Sequence, residues 1–97
     1  MMTFQELVTE QVWGRAWGGT ALDKRTKSIV TLGILAALGR FQEVGIYTKG
    51  ALTCGVTVDE IREALVHVTA YCGAPAGRQA FTAAHEALIA AGALTGA

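Results

Sequence analysis

Charge is the scarcest resource in this 97-residue chain: Asp, Glu, Lys and Arg make up 16% of it, against an average of about 25% in globular domains. The eight basic and eight acidic residues cancel to a formal net charge of zero and are scattered rather than clustered. Such a chain presents no electrostatic footprint for nucleic acid or for an anionic membrane surface. Proline occurs once and cysteine twice. The two cysteines, Cys54 and Cys72, form no CxxC pair, which argues against a thioredoxin-like redox motif and a zinc site. Both are expected to be small packing residues.

Long apolar runs are also missing. The longest, 29-IVTLGILAAL-38, is about half of what a membrane-spanning helix needs. No positively charged leader followed by a small-residue cleavage site opens the chain, so the expected location is the cytoplasm. No alternating strand pattern, repeat or low-complexity segment is visible. No Ser sits at a nucleophile elbow, and the glycines lack the strand–loop–helix setting of a phosphate loop.

What the chain does have is apolar side chains, 52% of the total. A single short domain, taken as residues 1–97, cannot bury that much alone. The expectation is a soluble homo-oligomer whose contacts cover the excess.

The apolar spacing is helical throughout, which makes the fold class all-α: a small antiparallel bundle with short connections. Phe4, Leu7, Val8 and Val12 predict a first helix over about 3–17, stopped by Gly18-Gly19. Asp23 is placed to cap a second helix that runs to Leu38. Apolar nearly all round, it is expected to be the buried centre. A third helix spans about 41–53, and Gly55 follows it. Thr57 and Glu60 form a capping box for a fourth over about 58–72. In 73-GAPAG-77, Pro75 fits the first turn of a fifth, about 75–91.

Few residues here can do chemistry. Glu43 and Tyr47 stand four apart, so a helix projects both from one face. They are either a solvated first turn with an interface aromatic, or a carboxylate and a phenol working in a pocket. His67 lies between apolar neighbours and is expected to be at least partly buried, as a structural imidazole or an acid/base group. His85, beside Glu86, reads as surface. Arg15, between Trp13 and Trp17, either anchors an anionic ligand against indole walls or ends a helix packed on a neighbouring subunit. No ligand set at metal-binding spacing is present, so no metal is expected.

The order of segments is more specific. The runs 4-FQELVTEQVWG-14, 22-LDKRTKSIVTLGILAALGR-40 and 50-GALTCGVTVDEIREALVHVTAYCGAPAGRQAF-81 together resemble the carboxymuconolactone decarboxylase family, related to the alkylhydroperoxidase-D-like fold. The resemblance implies small all-helical subunits in trimers or hexamers, with active sites near subunit contacts. The peroxidase branch carries a CxxC and a following His, which would fall at Arg40, Glu43 and Tyr47. None of the three is present, so disulfide-based peroxide reduction is not expected. The decarboxylase branch carries a Glu in the third helix, retained as Glu43, and a His one turn later, here Tyr47. His67 and the YCGAPAG turn also look like the family's.

Carried over residue by residue, the resemblance implies a cofactor-independent carboxy-lyase acting on a 4-carboxymuconolactone-like substrate in aromatic catabolism. Glu43, Tyr47 and His67 would be its catalytic groups, and Arg15, Trp13 and Trp17 would bind the substrate. An unperturbed phenol titrates near pH 10 and an imidazole near 6.5, so Tyr47 would serve as a fixed hydrogen-bond donor rather than a proton shuttle. Two alternatives stay open: a relative diverted to another proton transfer, such as isomerisation or cyclisation, and a non-catalytic oligomeric binding protein.

Overall fold

The computed structural model describes residues 1–95. Among these, every regular element is helical. Helix α1, Phe4–Val8, continues without a break into a π-helix, Thr9–Ala16. Then come α2, Lys24–Ala37, α3, Phe41–Thr53, α4, Val58–Cys72, and α5, Ala74–Ala90.

The starts of these helices follow from local chemistry. The Thr3 hydroxyl accepts from the Glu6 amide and the Glu6 carboxylate accepts from the Thr3 amide, closing one capping box. Thr57 and Glu60 close a second at the start of α4. Asp23 caps α2 by accepting from the Thr26 amide at 2.7 Å. The Thr26 hydroxyl, and after it that amide, hold its carboxyl below the usual carboxylate range. Gly73, at φ +94°, turns the chain between α4 and α5 where a residue with a Cβ would be strained. Pro75 then sits in the first turn of α5, where its missing N–H costs no hydrogen bond.

Helices α2 to α5 pack on one another around Leu32, Ala36, Val44, Ala51, Ile61, Leu65, Val68, Ala80, Ala84 and Leu88. Small residues let α4 and α5 approach closely. A Cβ on Gly77 would lie 2.1 Å from the Thr69 hydroxyl oxygen. Arg25 fastens α2 to α4 through an ion pair with Glu60 and donates to the Gly55 carbonyl at 3.3 Å.

Three expectations change. Helix α2 is not buried all round: it turns Ser28, Leu32 and Ala36 inward and leaves Val30, Ile34 and Leu38 at the surface. A four-helix set leaves one side of α2 without a neighbour, whatever its composition. His67 is exposed rather than half-buried, because Leu65 and Val68 take the inward positions of α4 and the imidazole falls between them on the outside. Cys72, at the end of α4, is exposed and fills no core position, while Cys54 is half-buried. No helix of the described residues is long and apolar enough to cross a membrane.

Candidate functional site

A cavity of about 800 Å³ opens between the end of the π-helix, the loop that follows it, the start of α2 and the second half of α3. Trp13, Trp17, Leu22, Lys24, Tyr47 and Cys54 are among the residues that line it. The volume is in the range of small-molecule sites, and mostly apolar walls with a few polar groups are their usual make-up.

The indole wall depends on the unusual helix. In the π-helix the Trp17 amide bonds the Val12 carbonyl, five residues back, at 3.0 Å. Short π segments often mark functional positions. Here Trp13 and Trp17 come side by side, ring centroids 6.2 Å apart and planes tilted by 33°. Gly18 closes the turn so tightly that a Cβ there would lie 2.0 Å from the Gly14 carbonyl oxygen. The loop is fixed to α2 by Lys27, whose Nζ donates to the Gly19 carbonyl at 2.7 Å.

On the opposite wall, α3 turns Val44, Thr48 and Ala51 into the core. Tyr47 is left half-buried at the edge of that face, with Gly50 and Cys54 following it along the cavity. The third side is the first turn of α2. Lys24 supplies a cation there, next to the Asp23 carboxylate, which also lines the wall and caps the Thr26 amide. Ser28 also reaches the wall, but its hydroxyl is engaged by the Lys24 carbonyl at 2.9 Å.

The chain thus brings Tyr47, Trp13 and Trp17 together. The other three residues singled out in the sequence stand elsewhere. Glu43 is exposed in the first turn of α3, one turn before Tyr47 and off the cavity wall. Arg15 is exposed and does not line the cavity. His67 lines a different groove of about 450 Å³ between α2 and α4, with Ile29, Gly33, Glu60 and Glu63. Its ring lies 5.0 Å from that of Tyr71.

Lys24 and Cys54 were not foreseen at the site. The capping position of Asp23 could have pointed to Lys24, since a cation just inside a helix start is poorly placed against the dipole and needs another reason to be there. Cys54 gives no such signal. Among the described residues, no group of three or more His, Cys, Asp or Glu side chains is placed to hold a metal ion.

Comparison with known proteins bears on this geometry. The model of the carboxymuconolactone decarboxylase family matches residues 3–86. The nitrosuccinic acid decarboxylase npaB of Metarhizium robertsii is 45% identical over 71 residues, 73% of this chain and 50% of that protein. The 4-carboxymuconolactone decarboxylase of Acinetobacter baylyi is 36% identical over 83 residues, 86% of this chain and 62% of that protein. The chain therefore spans half to less than two thirds of the length of these curated relatives.

Proposed function

Because the chain belongs to the carboxymuconolactone decarboxylase family, we propose that it is a cofactor-independent carboxy-lyase whose small carboxylated substrate binds in the cavity walled by Tyr47, Trp13 and Trp17. The observation that carries this reading is one phenol and one ammonium, Tyr47 and Lys24, on a largely apolar cavity wall that also holds the Asp23 carboxylate, itself engaged by the Thr26 amide.

Loss of CO2 breaks a carbon–carbon bond and leaves its electron pair on the substrate. That pair needs an acceptor group, and the carbon or its conjugated partner then takes a proton. In 4-carboxymuconolactone the acceptor is the conjugated lactone carbonyl. In nitrosuccinic acid it is the nitro group. Either places growing negative charge on an oxygen. A hydrogen-bond donor fixed at that oxygen stabilises the transition state more than the ground state. Tyr47 is the donor in this reading. Each of these substrates also has a second carboxylate, which Lys24 holds, taking the anchoring role first given to Arg15. Trp17 is half-buried and Trp13 54% exposed, so the indoles shield both contacts in part.

Glu43 and His67 keep their implied catalytic roles only where a second subunit brings them to a cavity. The assembly we propose is a cytoplasmic homo-oligomer, a trimer or hexamer, with no nucleic-acid or membrane partner. A lactone of aromatic catabolism is the first reading of the substrate. A nitro acid is the second, favoured by the higher identity to the nitrosuccinic acid decarboxylase.

The test is CO2 release from 4-carboxymuconolactone and from nitrosuccinate. We expect turnover of one of them, lowered about tenfold or more by Tyr47→Phe, a barrier change of about 1.4 kcal/mol or more. Tyr47→His then separates the readings: it should raise lactone turnover in a lactone enzyme and impair a nitro-acid enzyme. A parent inactive on both compounds, or Tyr47 variants indistinguishable from it, would overturn the proposal.

A further inference from the structure

A glycine inside a helix needs a reason, because it loses more freedom on folding than any other residue. Close packing is the reason at Gly77, where an added Cβ would run into Thr69, and Gly45 faces α5, where a Cβ would lie 3.6 Å from the Ala83 carbonyl oxygen. Gly50 has no such neighbour. A Cβ built on it would meet no atom of the described residues within 4 Å. Backbone conformation does not require it either, since the positive φ angles belong to Gly39, Gly55, Gly73 and Gly92, and Gly50 lies inside α3. The fold alone would be better served by Ala at this position.

What Gly50 does have is a place on the cavity wall. Tyr47 stands three residues before it and Cys54 four after, so all three share one face of the helix. Helical side chains lean toward the N-terminus and cover the turn before their own. A side chain at position 50 would therefore lie over the turn that carries Tyr47. Without one, the backbone beside the phenol is bare, and close approach of backbone to a ligand is the remaining use of a glycine. Gly33 meets equally little, but it lines the groove of His67.

We propose that Gly50 is the specificity-determining residue of this cavity, the seat for the carbon skeleton of a ligand whose polar groups are held by Tyr47 and Lys24. A ring needs that seat, because one of its faces then meets the indole wall and the other the bare turn of α3. An open-chain diacid has little apolar face to set there. A side chain at position 50 thus selects against rings and spares open chains. The inference rests on the cavity being the substrate site.

The probes are terephthalate, a flat ring bearing two carboxylates, and succinate, an open chain bearing two. Both tryptophans of the chain are on the cavity wall, so their fluorescence reports binding. The parent should bind terephthalate more tightly than succinate. Gly50→Ala should weaken terephthalate binding about fivefold or more, and Gly50→Leu further, while succinate binding changes less than about twofold. The same Gly50→Ala protein should melt about 2–8 °C higher. Greater stability with poorer ring binding is a combination that a purely structural residue does not give. The proposal is overturned if the parent binds neither probe or prefers succinate, or if Gly50→Ala binds both as the parent does or loses both alike. It is also overturned if Gly50→Ala melts lower, since something would then pack on Gly50. No readout uses turnover. A parent that releases CO2 while Gly50→Ala binds terephthalate unchanged sinks this inference alone, and an inactive parent with the expected binding pattern sinks only the decarboxylase reading.

Discussion

Gly77→Ala is the substitution that tests the packing of the GAPAG turn. The added Cβ would lie 2.1 Å from the Thr69 Oγ1 and 2.8 Å from its Cβ and Cγ2. Real Cβ contacts under 3.0 Å are essentially never seen, so α4 and α5 must part or Thr69 must turn. Turning Thr69 breaks its bond to the Leu65 carbonyl, now 2.8 Å. Overpacking of a tight interface costs about 1–3 kcal/mol, and a lost hydrogen bond about 1 kcal/mol more. Against this, Ala is the better helix former by about 1 kcal/mol. The net loss expected is about 1–3 kcal/mol. In a domain of this size that lowers Tm by roughly 4–20 °C. Thermal and urea unfolding at one fixed protein concentration measure it, since assembly would otherwise shift the midpoint. Thr69→Ala removes two of the three clashing atoms, so in the double variant a coupling of about 1 kcal/mol should return. A Gly77→Ala protein as stable as the parent or more so, with no coupling to Thr69, would refute the close contact and the structural role assigned to the turn.

Three further outcomes are expected. Lys24→Ala should raise KM for a dicarboxylate substrate about tenfold, roughly 1.4 kcal/mol of binding, while Arg15→Ala changes it little; the reverse order in steady-state kinetics would return the anchor to Arg15. The Asp23 carboxyl is held down in the folded chain, so the stability it adds is present above the ordinary carboxylate pKa of about 3.9 and is lost as pH falls through the lower folded value. Asn also caps helices but does not titrate, so the urea midpoint of Asp23→Asn should fall less steeply than the parent's below about pH 4. Replacing Cys54 and Cys72 together by Ala should change turnover by less than about tenfold, since neither thiol is paired with a nearby base in sequence; a loss of a hundredfold in a turnover assay would make Cys54, on the cavity wall, part of the chemistry.

Helix positions were legible because each is set by neighbours in sequence. Asp23 caps through Thr26, Thr57 and Glu60 cap each other, and Pro75 needs only a first turn. The π register of Thr9–Ala16 was not legible, since the apolar spacing that predicts a first helix there does not separate bonds four residues back from bonds five back. The exposed side of α2 was missed for a different reason. Composition says that Val30, Ile34 and Leu38 belong under cover but not which molecule covers them. At the candidate site, Tyr47 is legible through its helical spacing from Glu43 and the two tryptophans as the flanks of Arg15, although neither Glu43 nor Arg15 lines the cavity. Lys24 offers only the weaker sign of a cation just inside a helix start, and its place on the wall depends on the packing of α3 against α2 across the cavity.

The separation of Tyr47 from His67 follows from the two flanks of α2. Lys24 and Ser28 face the cavity shared with α3, while Ile29 and Gly33 face the groove shared with α4. Neighbouring residues on a helix differ by about 100° in direction, so one residue's step from Ser28 to Ile29 is enough to change sides. Leu32 and Ala36 then fill the space beneath α2, between the cavity and the groove. Tyr47 and its own subunit's His67 therefore line different openings. If both groups act on one molecule, the imidazole comes from another subunit, and the groove that holds His67 must lie at the contact.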